Sequence, residues 1–296
     1  MHRIARIAIA ALASVGMLAS VAACGSGQST SEKNGTIEVA ASVNQWGTVA
    51  KALGGDNVNV TSIINSTNVD AHDYEPTTSD IAKLQKAQVI IVNGAGYDAW
   101  AVKAAQTANA IIVNAAEIGG VNDGENPHVW FSADVRKAVA QAITEAYEQA
   151  DAAKKNDFDK MNDRWTAEEN NVESKIAEVK QKTDGLAYAA TESVASYLAE
   201  DMGLADATPS GYARATANES EPTPTDIKQF TDALKAGEIK LLVVNTQEES
   251  ELTGKITDAA KSVEVPMVEL TEQMPEQYDS LTDWMAALVD AFSQAI

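Results

Sequence analysis

The chain has 296 residues, with 43 Asp or Glu against 22 Lys or Arg and 45% hydrophobic residues, so it carries a formal net charge of −21 and enough apolar material for a sizeable core. That composition excludes disordered and fibrous classes, and so strong an acidity argues against binding nucleic acid or an anionic bilayer unaided, since both repel a negative surface. Small cations are better matched. One Cys and three His leave no intrachain disulfide and no Cys-based zinc site.

Arg3 and Arg6 precede a run of apolar and small residues, 7–23, that ends in Val21-Ala22-Ala23-Cys24. This is the pattern of a secretory signal over residues 1–23. A membrane-spanning helix fits less well, because the run falls short of about 20 apolar residues and is interrupted by Ser14, Gly16 and Ser20. Its end resembles a bacterial lipobox, which implies that Cys24 is lipidated and becomes the first mature residue, tying the protein to the membrane. Residues 24–35 are rich in Gly, Ser and Thr and read as a flexible tether. Loss of residues 1–23 leaves 20 basic against 43 acidic residues and a net charge of −23. His2 is lost with them, so two histidines remain.

From Thr36 onward, short β-rich runs at 37–42, 58–64, 88–92 and 110–113 alternate with helical patterns, and the alternation resumes with runs at 186–190, 240–244 and 266–270. This predicts an α/β fold of two similar lobes with mainly parallel sheets. Two internal matches in the same order support the duplication. Glu75-Pro76-Thr77-Thr78-Ser79-Asp80-Ile81 pairs with Glu221-Pro222-Thr223-Pro224-Thr225-Asp226-Ile227, and Val89-Ile90-Ile91-Val92-Asn93 with Leu241-Leu242-Val243-Val244-Asn245. In the first match Thr77 or Thr223 can cap a helix, with Asp80 or Asp226 completing a capping box.

Between Pro127 and Gly185 there is neither Gly nor Pro. One helix is predicted from near Ser132, burying Val135, Val139, Ile143 and Tyr147. A second, from about 154 to 182, would bury Phe158, Met161, Trp165, Val172, Ile176 and Val179 and close at Gly185. The expected organisation is an N-terminal lobe at 36–152, a linker helix at 153–183 and a C-terminal lobe at 184–296. A stiff linker helix allows only small relative motion of the lobes.

The two histidines sit in polar, Pro-flanked loops, Asp70-Ala71-His72-Asp73-Tyr74-Glu75-Pro76 and Glu125-Asn126-Pro127-His128-Val129-Trp130. A lone loop histidine more often serves the surface than a metal. Two in one lobe, both following strands, favour a shared cleft, because ligands in α/β folds bind beyond the carboxyl ends of strands. Two imidazoles need further donors, and the second lobe offers neither His nor Cys, so its donors must be oxygen. Glu192 and Glu272 stand just past strands 186–190 and 266–270. Glu192 also suits plain helix capping, since carboxylates favour helix N-termini.

The segments His72-Asp73-Tyr74-Glu75-Pro76-Thr77 with Asp80, Val92-Asn93-Gly94-Ala95-Gly96 with Trp100, Asn126-Pro127-His128-Val129-Trp130, and Glu192-Ser193 with Tyr197-Leu198 and Gly203-Leu204 resemble the zinc- and manganese-binding solute receptors of ABC importers, the cluster A-I or TroA-like family. The resemblance runs in order from about Thr36 to the C-terminus. It implies two α/β lobes bridged by one long helix, with Zn²⁺ or Mn²⁺ held between them as transported ligand and passed to an ABC permease in the membrane. A monomeric receptor on the extracytoplasmic face, rather than an enzyme, is expected. The implied metal ligands are His72, His128, Glu192 and Glu272. Glu272 departs from the aspartate usual at its position, and residues 114–125 lack the His-rich loop of many zinc receptors. Asp73 is a candidate to orient His72.

Ligation requires neutral imidazoles and ionised carboxylates, so affinity is expected to fall as pH drops through the ordinary His range near 6.5. Two nitrogens with two carboxylates lean toward Mn²⁺ by hardness, whereas the Irving–Williams order favours Zn²⁺. Two alternatives come from other classes. A metal-dependent hydrolase could use two His and a carboxylate, although no His-Glu-x-x-His motif, nucleophile elbow or phosphate loop is present. A receptor for an organic solute could stack it on Trp46, Trp100 or Trp130. An adhesin role for such a surface lipoprotein would leave no mark in the sequence.

Overall fold

The computed structural model describes residues 35–69 and 71–296. The signal segment, Cys24 and the tether as far as Asn34 lie outside the described residues, as does Asp70.

Two four-stranded sheets are built from β1 (Ile37–Val43), β2 (Val58–Ile64), β3 (Val89–Val92) and β4 (Ile111–Asn114), and from β5 (Ala187–Ala190), β6 (Ala205–Asp206), β7 (Leu241–Asn245) and β8 (Met267–Leu270). Their orders are β2-β1-β3-β4 and β6-β5-β7-β8, the same arrangement twice, and every pairing is parallel. Helices cover both sheets: α1 (Asn44–Gly54), α2 (Thr78–Lys86), α3 (Ala99–Ala105), α4 (Ala115–Gly119) and α5 (Ala133–Ala150) belong to the first. Those of the second are α7 (Ser196–Asp201), α8 (Ser210–Thr216), α9 (Pro224–Lys235), α10 (Glu251–Ser262) and α11 (Leu281–Ala295). Parallel strands buried on both faces read as continuous apolar runs, as in the fully buried Val-Ile-Ile-Val of β3 and Leu-Leu-Val-Val of β7. The two-residue, exposed β6 has no such run, which is why only seven of the eight strands show in the sequence.

The matched Thr-Asp segments perform the same task in both lobes. Thr77 and Asp80 form a capping box at α2, and Thr223 and Asp226 form one at α9, each helix feeding the third strand of its sheet order.

Between the lobes, α6 (Lys155–Thr183) runs 29 residues, about 44 Å at 1.5 Å per residue. Phe158, Trp165, Val172, Ile176 and Val179 are buried on it as predicted, while Met161 is only partly covered. The chain leaves the helix through Gly185 at φ 75°, a backbone that favours glycine. Apolar periodicity does not mark Glu169, which is fully buried on α6 and accepts from Arg136 Nε of α5 at 3.0 Å. Arg136 Nη1 also donates to the carbonyl of Trp130 at 3.0 Å. Because α6 packs against α1 and α5 on one side and α11 on the other, one hydrophobic core runs through both lobes. Among the described residues no helix is long and apolar enough to cross a membrane.

Candidate metal centre

The carboxyl ends of both sheets face one cleft of about 1040 Å³, lined by His72, His128 and Glu192 together with Asp73, Glu125, Glu219, Glu221, Glu248, Glu249 and Glu251. Such a concentration of negative charge draws cations toward its floor.

His72 stands in the loop after β2, and Asp80 stiffens that loop: its carboxylate caps α2 and accepts from the Tyr74 hydroxyl at 2.8 Å. His128 begins a short 3₁₀ turn, Val129–Phe131. Its loop hangs from Asn93, whose Nδ2 donates to the Pro127 carbonyl at 2.8 Å while its Oδ1 accepts from Trp46 Nε1. Asn126 Oδ1 lies 2.7 Å from His128 Nδ1, and Asn126 Nδ2 reaches the Ser193 carbonyl of the other lobe at 2.7 Å. With the Nδ1 proton engaged there, the Nε2 lone pair faces inward.

Glu192 follows β5 directly, but it caps no helix. The next helix starts at Ser196 behind Ala195, which makes no side-chain cap, and Glu192 Oε2 instead accepts from Asn245 Nδ2 at 2.6 Å. Glu272 follows β8 and is buried. Its Oε1 accepts from the same Asn245 nitrogen at 3.0 Å and its Oε2 from the Tyr97 hydroxyl at 2.9 Å. The backbone of 272–273 is held by Gln247 Oε1, which accepts from both amides, and by Gln45 Nε2, which donates to the Glu272 carbonyl at 2.7 Å. Tyr97 reaches the site because Gly94, Ala95 and Gly96 all take positive φ, a turn tied down by Asp98, which accepts from the amides of Asn93 and Gly94.

His72, His128, Glu192 and Glu272 each offer one ligand atom, and these atoms all lie within 4.8 Å of one another. Glu272 Oε2 is 3.6 Å from Nε2 of both histidines, and Glu192 Oε1 is 3.9 Å from His128 Nε2. Tetrahedral donors about 2.1 Å from a metal stand roughly 3.4 Å apart, so small side-chain shifts would close this set around one cation. Among the described residues, buried His128 Nε2 has no hydrogen-bond partner, as expected of an atom reserved for a ligand.

The electrostatics match that use. Burial pushes His128 below its ordinary pKa, so the imidazole stays neutral. For Glu192, burial first and the charge of Glu272 second raise the carboxyl to about 8. Burial opposes the charge of Glu272 too, but contacts from His128, His72 and the Tyr97 hydroxyl outweigh it and lower the carboxyl below its ordinary range. Two carboxylates so close cannot both ionise cheaply without a cation between them.

Asp73 is exposed, and Glu219 places a carboxylate oxygen 3.1 Å from His72 Nδ1. Trp46 and Trp130 are fully buried, Trp100 packs on Tyr74 with ring centroids 5.3 Å apart, and none of the three lines the cleft, so they offer no stacking platform. Sequence reasoning missed Asn245, Tyr97 and Gln247. Only Asn245 left a signal, as the last residue of the second internal match.

Comparison with known proteins decides the family. The model of the family described as zinc-uptake complex component A, periplasmic, matches residues 39–295. The chain belongs to that family. The chain is 24% identical over 253 residues to the manganese ABC transporter substrate-binding lipoprotein PsaA of Streptococcus pneumoniae, covering 78% of this chain and 79% of that protein. It is 26% identical over 236 residues to the iron ABC transporter substrate-binding lipoprotein MtsA of Streptococcus pyogenes serotype M1, covering 72% and 73%. The periplasmic zinc-binding protein TroA from Treponema pallidum shares the fold with a TM-score of 0.74 at 15% identity, over 88% of this chain and 99% of that one. A crystal structure of ZnuA shares the same two-lobed fold with a TM-score of 0.72 at 18% identity, over 88% of this chain and 99% of that one.

Proposed function

We propose that this chain is the extracytoplasmic receptor of an ABC importer, binding one divalent transition metal between its lobes and delivering it to a membrane permease. Nε2 of His72 and of His128 and one carboxylate oxygen each from Glu192 and Glu272 are the ligands. The carrying observation is the convergence of these four donors, two from each lobe, within 4.8 Å. Four protein donors suit a binding site better than a metal-dependent hydrolase, whose catalytic metal keeps a position open for water, and the protein is a receptor rather than an enzyme.

Family and relatives are named for zinc, manganese and iron. The two-nitrogen, two-carboxylate set serves all three ions, and the Irving–Williams order places Zn²⁺ above Fe²⁺ and Mn²⁺ in affinity. Metal analysis of the purified protein, followed by titration with Zn²⁺ and Mn²⁺ in competition, tests the reading: one equivalent bound per chain supports it, and failure to bind any of these ions rejects it.

Lipidation at Cys24 anchors the protein to the membrane, consistent with the lipoprotein names of its relatives, and it acts as a monomer. Its working parts are the lobes at 36–152 and 184–296 with the linker helix at 153–183, the core along that helix favouring small hinge motions over wide opening.

A further inference from the structure

Glu219, at the cleft, holds a backbone conformation that suits it poorly. Helix α8 ends in a Schellman turn, in which Ser220 N donates to the Ala215 carbonyl at 3.0 Å and Glu219 N to that of Thr216 at 2.9 Å. The residue in the left-handed position of such a turn is usually glycine, because a Cβ is crowded there. Here it is Glu219, at φ 51°. Both bonds of the turn are made by backbone atoms, so the turn itself has no use for a glutamate.

The side chain shows what the glutamate does. It crosses the cleft from the rear lobe to the front one, where Oε1 lies 3.1 Å from Nδ1 of His72, while 69% of the side chain stays exposed. On the far side of the same ring, Nε2 is 3.6 Å from Glu272 Oε2. An imidazole that donates through Nδ1 presents its Nε2 lone pair, and an acceptor at Nδ1 fixes both tautomer and ring orientation. Because the contact joins the two lobes, separating them breaks it.

We propose that Glu219 is a positioning residue, a latch between the lobes that aims His72 at the metal and slows the metal's departure. This rests on the metal-receptor reading.

The test compares full-length wild type, Glu219→Gly and Glu219→Gln in three measurements: release of Zn²⁺ to a chelator, melting of the metal-free protein, and the ¹⁵N NMR tautomer signature of the His72 ring without metal. Glu219→Gly is expected to melt at or above the wild-type temperature, since glycine relieves the backbone, yet to release Zn²⁺ about tenfold faster, the lower end for an outer partner because this one is exposed. The Nδ1-protonated signature of His72 should weaken in it. Glu219→Gln, which keeps an acceptor oxygen near Nδ1, should recover most of both properties. Wild-type release together with an unchanged tautomer in Glu219→Gly would overturn the proposal. If the wild type binds no metal, the receptor reading fails on its own, and the tautomer comparison still decides whether Glu219 positions His72.

Discussion

Asn93 and Asn245 stand at the same place in the two sheets, at the carboxyl ends of β3 and β7, and each braces one half of the candidate metal site. Asn93 holds the loop of His128 through the Pro127 carbonyl, while Asn245 spreads one amide nitrogen over Glu192 and Glu272. The repeat therefore extends from fold to candidate site: one asparagine braces the loop of a histidine and its counterpart braces two carboxylates.

Asn245→Ala is expected to weaken metal binding by about 10- to 100-fold, as loss of an outer partner does, while the circular dichroism spectrum stays that of the wild type. Isothermal titration with Zn²⁺ measures it, and wild-type affinity would remove Asn245 from the site.

His72→Ala and His128→Ala each delete a proposed ligand, so each should lose more than about 100-fold in affinity, beyond the effect of an outer partner. Elemental analysis of the dialysed variants checks this. Stoichiometric metal in both would reject the ligand assignment.

Metal binding at pH 7 is expected to release a proton. Without metal the Glu192 carboxyl titrates at about 8 and is mostly protonated at neutrality, whereas it must be ionised to ligate. Affinity should thus begin to fall as pH drops below about 8, sooner than ordinary histidine titration near 6.5 would give. The same raised pKa means that Glu192 favours folding of the metal-free protein below about pH 4.5 and loses that contribution as pH rises through about 8. Calorimetry in buffers of different ionisation enthalpy reads the proton directly, and Glu192→Gln should abolish its release.

Arg136→Met would strand the Glu169 charge at a fully buried position and free the Trp130 carbonyl two residues beyond His128. A loss of about 3–5 kcal/mol in urea-unfolding stability is expected, the cost of breaking a buried ion pair from one side. Replacing both partners with apolar residues should recover much of it.

Much of this molecule could be read before folding. Strand alternation, the Thr-Asp capping boxes and the apolar stripe of α6 are local patterns, set by interactions within a few residues or by which face meets the core. His72 and His128 stood out because only two histidines follow residue 23. Glu192 and Glu272 did not stand out among 43 acids, and strand-end position could only shortlist them.

What the order of residues determined alone is therefore the two-lobed α/β plan, the linking helix and the two histidines that single out the candidate site. Tertiary structure decided which carboxylates join them, that Asn245 and Tyr97 hold those carboxylates, and that Glu219 rather than Asp73 faces His72. The physical reason is distance along the chain: His128 and Glu192 are 64 positions apart, and His72 and Glu272 are 200 apart. No periodicity spans such intervals, and a hydrogen bond or a coordination contact is made only after packing has brought its partners within reach.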